Sequence, residues 1–219
     1  MARNPPGHAS RGGALANSRR FVLAAVLLGG LVIMGAGVLL ALAHRDTPRG
    51  AAGTLLASAI GGPFRLVDQN GKTVTDRDFR GKYMLIFFGF THCPDICPAE
   101  LQVMSAALDA LGPKADDVVP IFVTLDPGRD TPEAVGAYVK NFGKTFVGLT
   151  GSPTAIANAA NAYRVAYQKF EYKDKDGNYG YSIDHSALVY LMDKDGKYLV
   201  HFSYGTPATK MTETMRRYL

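Results

Sequence analysis

Tyr83-Met84-Leu85-Ile86-Phe87-Phe88-Gly89-Phe90-Thr91-His92-Cys93-Pro94-Asp95-Ile96-Cys97-Pro98 joins an apolar run to the chain's two cysteines. The run reads as a strand covered on both faces. The cysteines sit in the turn that leaves it, and Leu101, Met104 and Leu108 at helical spacing predict a helix from about Pro98 to Leu111. Side chains at i and i+4 are neighbours on a helix, with β-carbons roughly 5–6 Å apart, wider than the ~3.8 Å of a relaxed disulfide. A small adjustment of the turn closes that bond. Two thiolates at about 2.3 Å from a metal, judged by zinc, share an ion while standing farther apart. A structural staple across so short a loop removes little entropy from the unfolded chain. A closed zinc site wants a second pair of Cys or His ligands for which there is no cysteine. Copper, redox exchange, or both remain as readings.

Outward from this stretch, the pattern alternates strands and helices. Gln69-Asn70-Gly71-Lys72 predicts a hairpin within Phe64 to Thr75. Val118 to Leu125 is a second buried strand. A helix is expected from Asp130-Thr131-Pro132-Glu133 to Phe142, with Asp130 and Glu133 as a capping box. Phe146 to Leu149 reads as a short strand and Ser152-Pro153 as the start of a helix ending near Ala162. Tyr167 to Ile183 is polar, aromatic and glycine-bearing, so a long exposed hairpin or loop is expected. Its acids superficially suggest a calcium loop, but Gly177 is misplaced for one. Ser186 to Met192 and Lys197 to Phe202 form a further hairpin around Asp195-Gly196, and a last helix spans about Pro207 to Arg217. The fold class is α/β, a mixed sheet with helices on both faces.

Net charge excludes one function class. Residues 1–50 carry six arginines and one acid, Asp46, and hence the whole net charge of +5; the 18 basic and 18 acidic residues of the remainder cancel. A nucleic-acid-binding domain would need that positive charge on its folded part. Phe21 to Ala43 is an uncharged apolar run long enough for the ~30 Å bilayer core. Arg19 and Arg20 before it place the N-terminus in the cytoplasm and the rest across the membrane. A cleavable signal peptide ending at Ala41-Leu42-Ala43 is the competing reading, but the run exceeds the usual length of such a segment. The expected organisation is a basic N-terminus (1–20), a transmembrane anchor (21–43), a linker (44–63) and a domain (64–219). Small residues at Ala25, Gly29, Gly37 and Ala41 are compatible with dimerisation through the membrane helix.

Pro98 places Cys97 near the head of its helix, where the dipole favours a thiolate; Asp95 opposes this, so the direction of the shift stays open. Copper(I) is better held by a third ligand, and imidazole suits it. Of five histidines, His8 and His44 belong to the leader, His201 lies in a terminal strand, and His92 adjoins Cys93, where neighbouring side chains point apart unless the loop turns sharply. His185, between the long loop and a core strand, is the best placed. Read alone, a histidine at a strand entrance is more often an ordinary polar residue than a ligand.

The run from Gly89 to Pro98 resembles the Sco/SenC family of membrane-anchored copper proteins that assemble cytochrome c oxidase. The likeness extends to Asp126-Pro127-Gly128-Arg129-Asp130-Thr131-Pro132, Val147 to Gly151, Ala162 to Val165 and Asp184-His185, covering the domain from Phe64 onward. It implies a thioredoxin-like fold in which Cys93, Cys97 and His185 bind copper. It also implies delivery of copper to the copper A site of oxidase subunit II, or reduction of that site's cysteines. A copper donor, an energy-transducing membrane such as the bacterial inner membrane, and a periplasmic domain come with the same resemblance. The alternatives are a dedicated thiol-disulfide oxidoreductase, with Cys93 and Cys97 as its reacting pair, and a peroxidase or redox sensor. Asp126 follows the second buried strand on the side of the cysteine turn, a position suited to contacting a partner or tuning the site; a turn-forming role before Pro127 is equally economical and is preferred.

Overall fold

The computed structural model describes residues 60–173 and 175–219, and Met34 alone before them. The basic N-terminus, the expected membrane span apart from Met34, and all but the end of the linker lie outside the described residues. Among those described, no helix is long and apolar enough to cross a membrane. The chain divides into two units, Met1–Ala51 and Ala52–Leu219, and the second contains the fold.

Seven strands build the main sheet: β1 (Arg65–Asp68), β2 (Thr73–Thr75), β3 (Tyr83–Gly89), β4 (Val118–Thr124), β5 (Val147–Thr150), β8 (Leu188–Met192) and β9 (Tyr198–Ser203), in the order β2-β1-β5-β4-β3-β8-β9. β3 runs parallel to β4, and β4 to β5, while β8 is antiparallel to β3 and β1 to β5. The helices are α1 (Ile96–Leu111), α2 (Pro132–Val139), α3 (Pro153–Ala162) and α4 (Ala208–Met215). β6 (Tyr167–Lys173) and β7 (Tyr179–His185) pair as a separate antiparallel hairpin.

β3 is central because both its faces are apolar. Successive strand residues point to opposite sides. Phe87 meets Phe122 of β4, whose ring lies 5.3 Å from Tyr138 of α2. Phe88 turns the other way, against Tyr163 at the end of α3 and Tyr190 of β8. Each such fully buried ring or aliphatic side chain contributes about 1.5–3 kcal/mol of burial energy. Helices therefore cover both faces, as the pattern implied. The opening hairpin follows from Asn70-Gly71: Gly71 takes φ +78°, and the Asp68 carboxylate accepts the amides of Asn70 and Lys72.

The last helix ends at Met215 rather than Arg217, and two further helix boundaries differ from the sequence expectation. α1 starts at Ile96 with Asp95 as its N-cap residue, so Pro98 is its third residue. The first four amides of a helix lack intrahelical partners, and proline loses nothing there. α2 ends at Val139, because the Asn141 side chain donates to the carbonyls of Ala137 and Tyr138 and closes the last turn. The expected Asp130–Glu133 capping box is not formed. Thr131 caps α2 by accepting the Ala134 amide, and the Asp130 side chain goes elsewhere.

Candidate metal centre

β3 ends at Gly89 and delivers the chain to the cysteine turn at the carboxyl ends of the parallel strands, the usual side for ligands in such sheets. Gly89 makes the close approach possible. A β-carbon there would lie 2.8 Å from Cys97 Sγ, 3.0 Å from the Phe87 ring and 3.1 Å from the Phe122 ring. Cys97, the second residue of α1, is fully buried against this surface, while Cys93 is half-buried; both are free thiols. The Cys97 amide donates to Cys93 Sγ at 3.4 Å.

β7 brings the imidazole. His185 is its last residue, opposite Tyr167 in the ladder, and its ring packs edge-on against Phe87 and Phe90 at centroid separations of 6.0 and 6.1 Å. Its Nδ1 lies 3.2 Å from the Ser186 carbonyl. A carbonyl only accepts, so Nδ1 carries the proton and Nε2 keeps its lone pair. That Nε2 stands 3.6 Å from Cys97 Sγ, across 88 residues of sequence.

The electrostatics split the thiols. The Cys97 thiol donates a hydrogen bond to Cys93, which holds the Cys93 pKa below the ordinary thiol range, against the opposing effect of burial; the amides of Cys97 and Asp95 act in the same direction as the thiol. The same donated hydrogen bond, together with burial, pushes the Cys97 pKa up. The direction left open by the helix dipole and Asp95 is thus decided by the pair itself. Cys97 is kept protonated and Cys93 is the thiolate. One proton faces two acceptors, Cys93 Sγ and His185 Nε2.

Among the described residues, no three His, Cys, Asp or Glu side chains are posed closed around a metal position. Cys97 and His185 are in contact, and Cys93 adjoins them through the amide and thiol of Cys97. The donor chemistry, two sulfurs and an imidazole nitrogen, suits copper or another soft to borderline ion. His201 is elsewhere, bonded to the Tyr198 hydroxyl on β9; His8 and His44 lie outside the described residues.

The acids that brace this region are ones the sequence alone favours as turn and cap residues. Asp130, with no exposed surface, accepts the Thr91 amide at 2.9 Å and the hydroxyls of Thr91 and Thr124 at 2.6 Å each. It fixes the cysteine turn from the loop between β4 and α2. Asp126, also buried, pairs with Arg129 and accepts the Tyr181 hydroxyl at 3.0 Å. The Arg129 guanidinium stacks 3.7 Å from the Tyr181 ring, and its Nη1 donates to the Tyr181 carbonyl. One loop therefore holds both the cysteine turn and the strand bearing His185. The sequence signal was the spacing Asp-x-x-x-Asp after a buried strand, which turn chemistry explains equally well.

A hollow of about 430 Å³ opens beside His185, lined by Tyr167, Gln168 and Asp184 among others. A larger one, about 650 Å³, lies among Lys82, Leu108 and Val118. It sits where β3 and β4 begin, away from the dithiol, and is not a candidate for this chemistry.

The sheet, the Cys-x-x-x-Cys turn at the end of its central strand and the imidazole beside the second thiol define the class: a thioredoxin-like dithiol protein equipped with a histidine. The SCO1/SenC family model matches residues 52–219, and the chain belongs to that family. The mitochondrial SCO1 homolog 1 of Arabidopsis thaliana is 43% identical over 157 residues, covering 71% of this chain and 46% of that protein. The chain thus spans about half the length of that relative. The copper-bound structure of Bradyrhizobium japonicum ScoI is 46% identical, with a TM-score of 0.66 over 74% of this chain and all of the other. A structure describing a disulfide switch in BsSco, a member of the Sco family of cytochrome c oxidase assembly proteins, is 26% identical, with a TM-score of 0.56 over 73% of this chain and 93% of the other.

Proposed function

We propose that this chain is a membrane-anchored copper-handling protein that assists assembly of the copper A centre of cytochrome c oxidase, holding the ion through Cys93, Cys97 and His185. The observation that carries the reading is the 3.6 Å approach of His185 Nε2 to Cys97 Sγ. Two sulfurs and a nitrogen converge on one proton there, and a cation with affinity for sulfur takes that proton's place. Loading releases the Cys97 proton, lets both sulfurs bind as thiolates and turns the His185 lone pair to the ion. Cys93 adjusts its side chain to complete the trio, which its half-exposed position permits. The copper bound by the B. japonicum relative supports the choice of metal.

Copper is cargo in this reading, received from a donor protein and surrendered to oxidase subunit II by ligand exchange. Residues 1–20 lie in the cytoplasm, 21–43 anchor the chain in the bacterial inner membrane or an equivalent energy-transducing membrane, 44–63 tether, and 64–219 form the copper domain on the periplasmic side. The arginines before the apolar run support this orientation.

A second role rests on the asymmetry of the thiols. An accessible thiolate at Cys93 beside a protonated, buried Cys97 is the arrangement of an attacking and a resolving cysteine. Reduction of the recipient's cysteines before metal transfer would use it. The decisive experiment titrates Cu(I) into the reduced full chain and into His185→Ala. A fall of tenfold or more in affinity, with thiol exchange retained, is expected. Unchanged affinity would remove His185 from the ligands.

A further inference from the structure

We propose that His92 is a transit ligand, an exposed imidazole that takes the copper ion on its way between a partner protein and the resting position between buried Cys97 and half-buried His185. The inference rests on the copper reading above. It begins from a relay of hydrogen bonds. The carboxylate of Asp130, fully buried, accepts the Thr91 hydroxyl at 2.6 Å, and Thr91 Oγ1 lies 3.0 Å from His92 Nδ1. A hydroxyl has one proton, and Thr91 spends it on Asp130. Nδ1 of His92 must then be the donor. This tautomer, assigned from the network, leaves the lone pair on Nε2. Asp130 Oδ1 also stands 3.6 Å from Nδ1, adding a negative charge behind the ring. A carboxylate behind the protonated nitrogen is the arrangement that orients metal-ligating histidines and raises their basicity.

His185 has the same tautomer, set by the Ser186 carbonyl. The two imidazoles differ in access. His185 is half-buried, packed against Phe87 and Phe90 beside a buried thiol, whereas the His92 side chain is 53% exposed and one peptide unit from half-exposed Cys93. An ion arriving on another protein cannot reach fully buried Cys97 in one step. It meets Cys93 and His92 first: bonds from the ion to the donor's sulfurs break as bonds to Cys93 Sγ and His92 Nε2 form. His92 is then replaced by His185 and by Cys97, which releases its proton to solvent. The copper keeps its oxidation state throughout.

A ligand on the path alters rates in both directions, while a resident ligand alters the equilibrium. The full chain, reduced and in detergent, is mixed with Cu(I) as its bicinchoninate complex, and loading is followed by loss of the chelator's colour; excess bicinchoninate added to the loaded chain gives the release rate. For His92→Gln we expect both rates to fall about tenfold, the low end for a perturbed metal-site partner, with their ratio moving less than about threefold. Thr91→Val, which keeps the imidazole and cuts the relay, should slow both by a smaller factor, and thermal melts of each variant confirm folding. Unchanged rates in folded His92→Gln overturn the proposal. So does a tenfold loss of affinity, which would make His92 a resident ligand. A wild-type chain that takes up no Cu(I) would instead overturn the copper reading itself.

Discussion

Replacing Gly89 by alanine tests how tightly the end of β3 is fitted to the dithiol. The added β-carbon would lie 2.8 Å from Cys97 Sγ, with the Phe87 and Phe122 rings at 3.0 and 3.1 Å. Non-bonded carbons prefer about 3.5–4.0 Å, so something must move by about 0.7–1.2 Å. The rings are locked in the core between β3, β4 and α2. The displacement therefore falls largely on Cys97 and the first turn of α1. Overpacking of this kind costs about 1–3 kcal/mol, which in a domain of this size lowers the melting temperature by roughly 2–4 °C per kcal/mol. The same shift moves Sγ relative to His185 Nε2, and Cu(I) affinity should fall about tenfold or more. The assay pairs a thermal melt by circular dichroism with Cu(I) competition against a chromophoric chelator. Gly128→Ala is the control, since its β-carbon would meet only Asp126 Oδ1 at 3.8 Å. If Gly89→Ala melted within about 1 °C of wild type and bound Cu(I) equally well, the packing argument would be wrong.

Iodoacetamide should modify the reduced chain once, at Cys93, and keep doing so below neutral pH where a free cysteine of pKa about 8.5 has slowed sharply; mass spectrometry of the labelled peptide reads this, and preferential labelling of Cys97 would contradict the assigned polarity. Glu100, buried on α1 with Oε1 unpartnered, has its pKa raised by burial to about 7 against an opposing hydrogen bond from the Gly205 backbone. Its folded pKa exceeds the unfolded value, so its cost is absent below pH ~4.5 and grows as pH rises through about 7. Glu100→Gln should then stabilise the domain at pH 8.5 by up to about 3 kcal/mol relative to its effect at pH 4.5; melts showing the same difference at both pH values would refute this. Asp126→Asn removes the charge paired with Arg129 and weakens the hold on Tyr181, and should speed amide exchange across β7 about tenfold to a hundredfold, for a loss of about 1.5–3 kcal/mol. Unaltered protection there would show that the loop does not hold the hairpin.

Much of the fold was legible because it depends on local periodicity and turn chemistry. The six-residue apolar run from Tyr83 had to be a strand covered on both faces, and Asn70-Gly71 and Asp195-Gly196 had to turn hairpins. The misjudged boundaries are those where a rule has slack. Proline is tolerated anywhere in the first turn, so Pro98 could not fix the start of α1, and Asn141 ended α2 early through a side-chain bond that no periodicity records. Asp130 was assigned to a local cap because nothing in sequence reveals that Thr91 and Thr124, 39 and 6 residues before it, would claim its carboxylate.

By itself the sequence singled out the candidate ligand atoms: two sulfurs four residues apart at the end of a buried strand, and a short list of imidazoles. Spacing along a chain fixes what lies within one turn of helix, and nothing beyond it. Position along the chain and family likeness already favoured His185 over His201; tertiary structure alone brought its ring to Cys97 and set its lone pair toward that sulfur, because β7 is anchored through Tyr181 and the ring is wedged against Phe87 and Phe90. It also decided which thiol holds the proton. Burial against Gly89 and the bond to Cys93 outweigh the helix dipole at Cys97, a balance of desolvation and contact that exists only once the chain has folded.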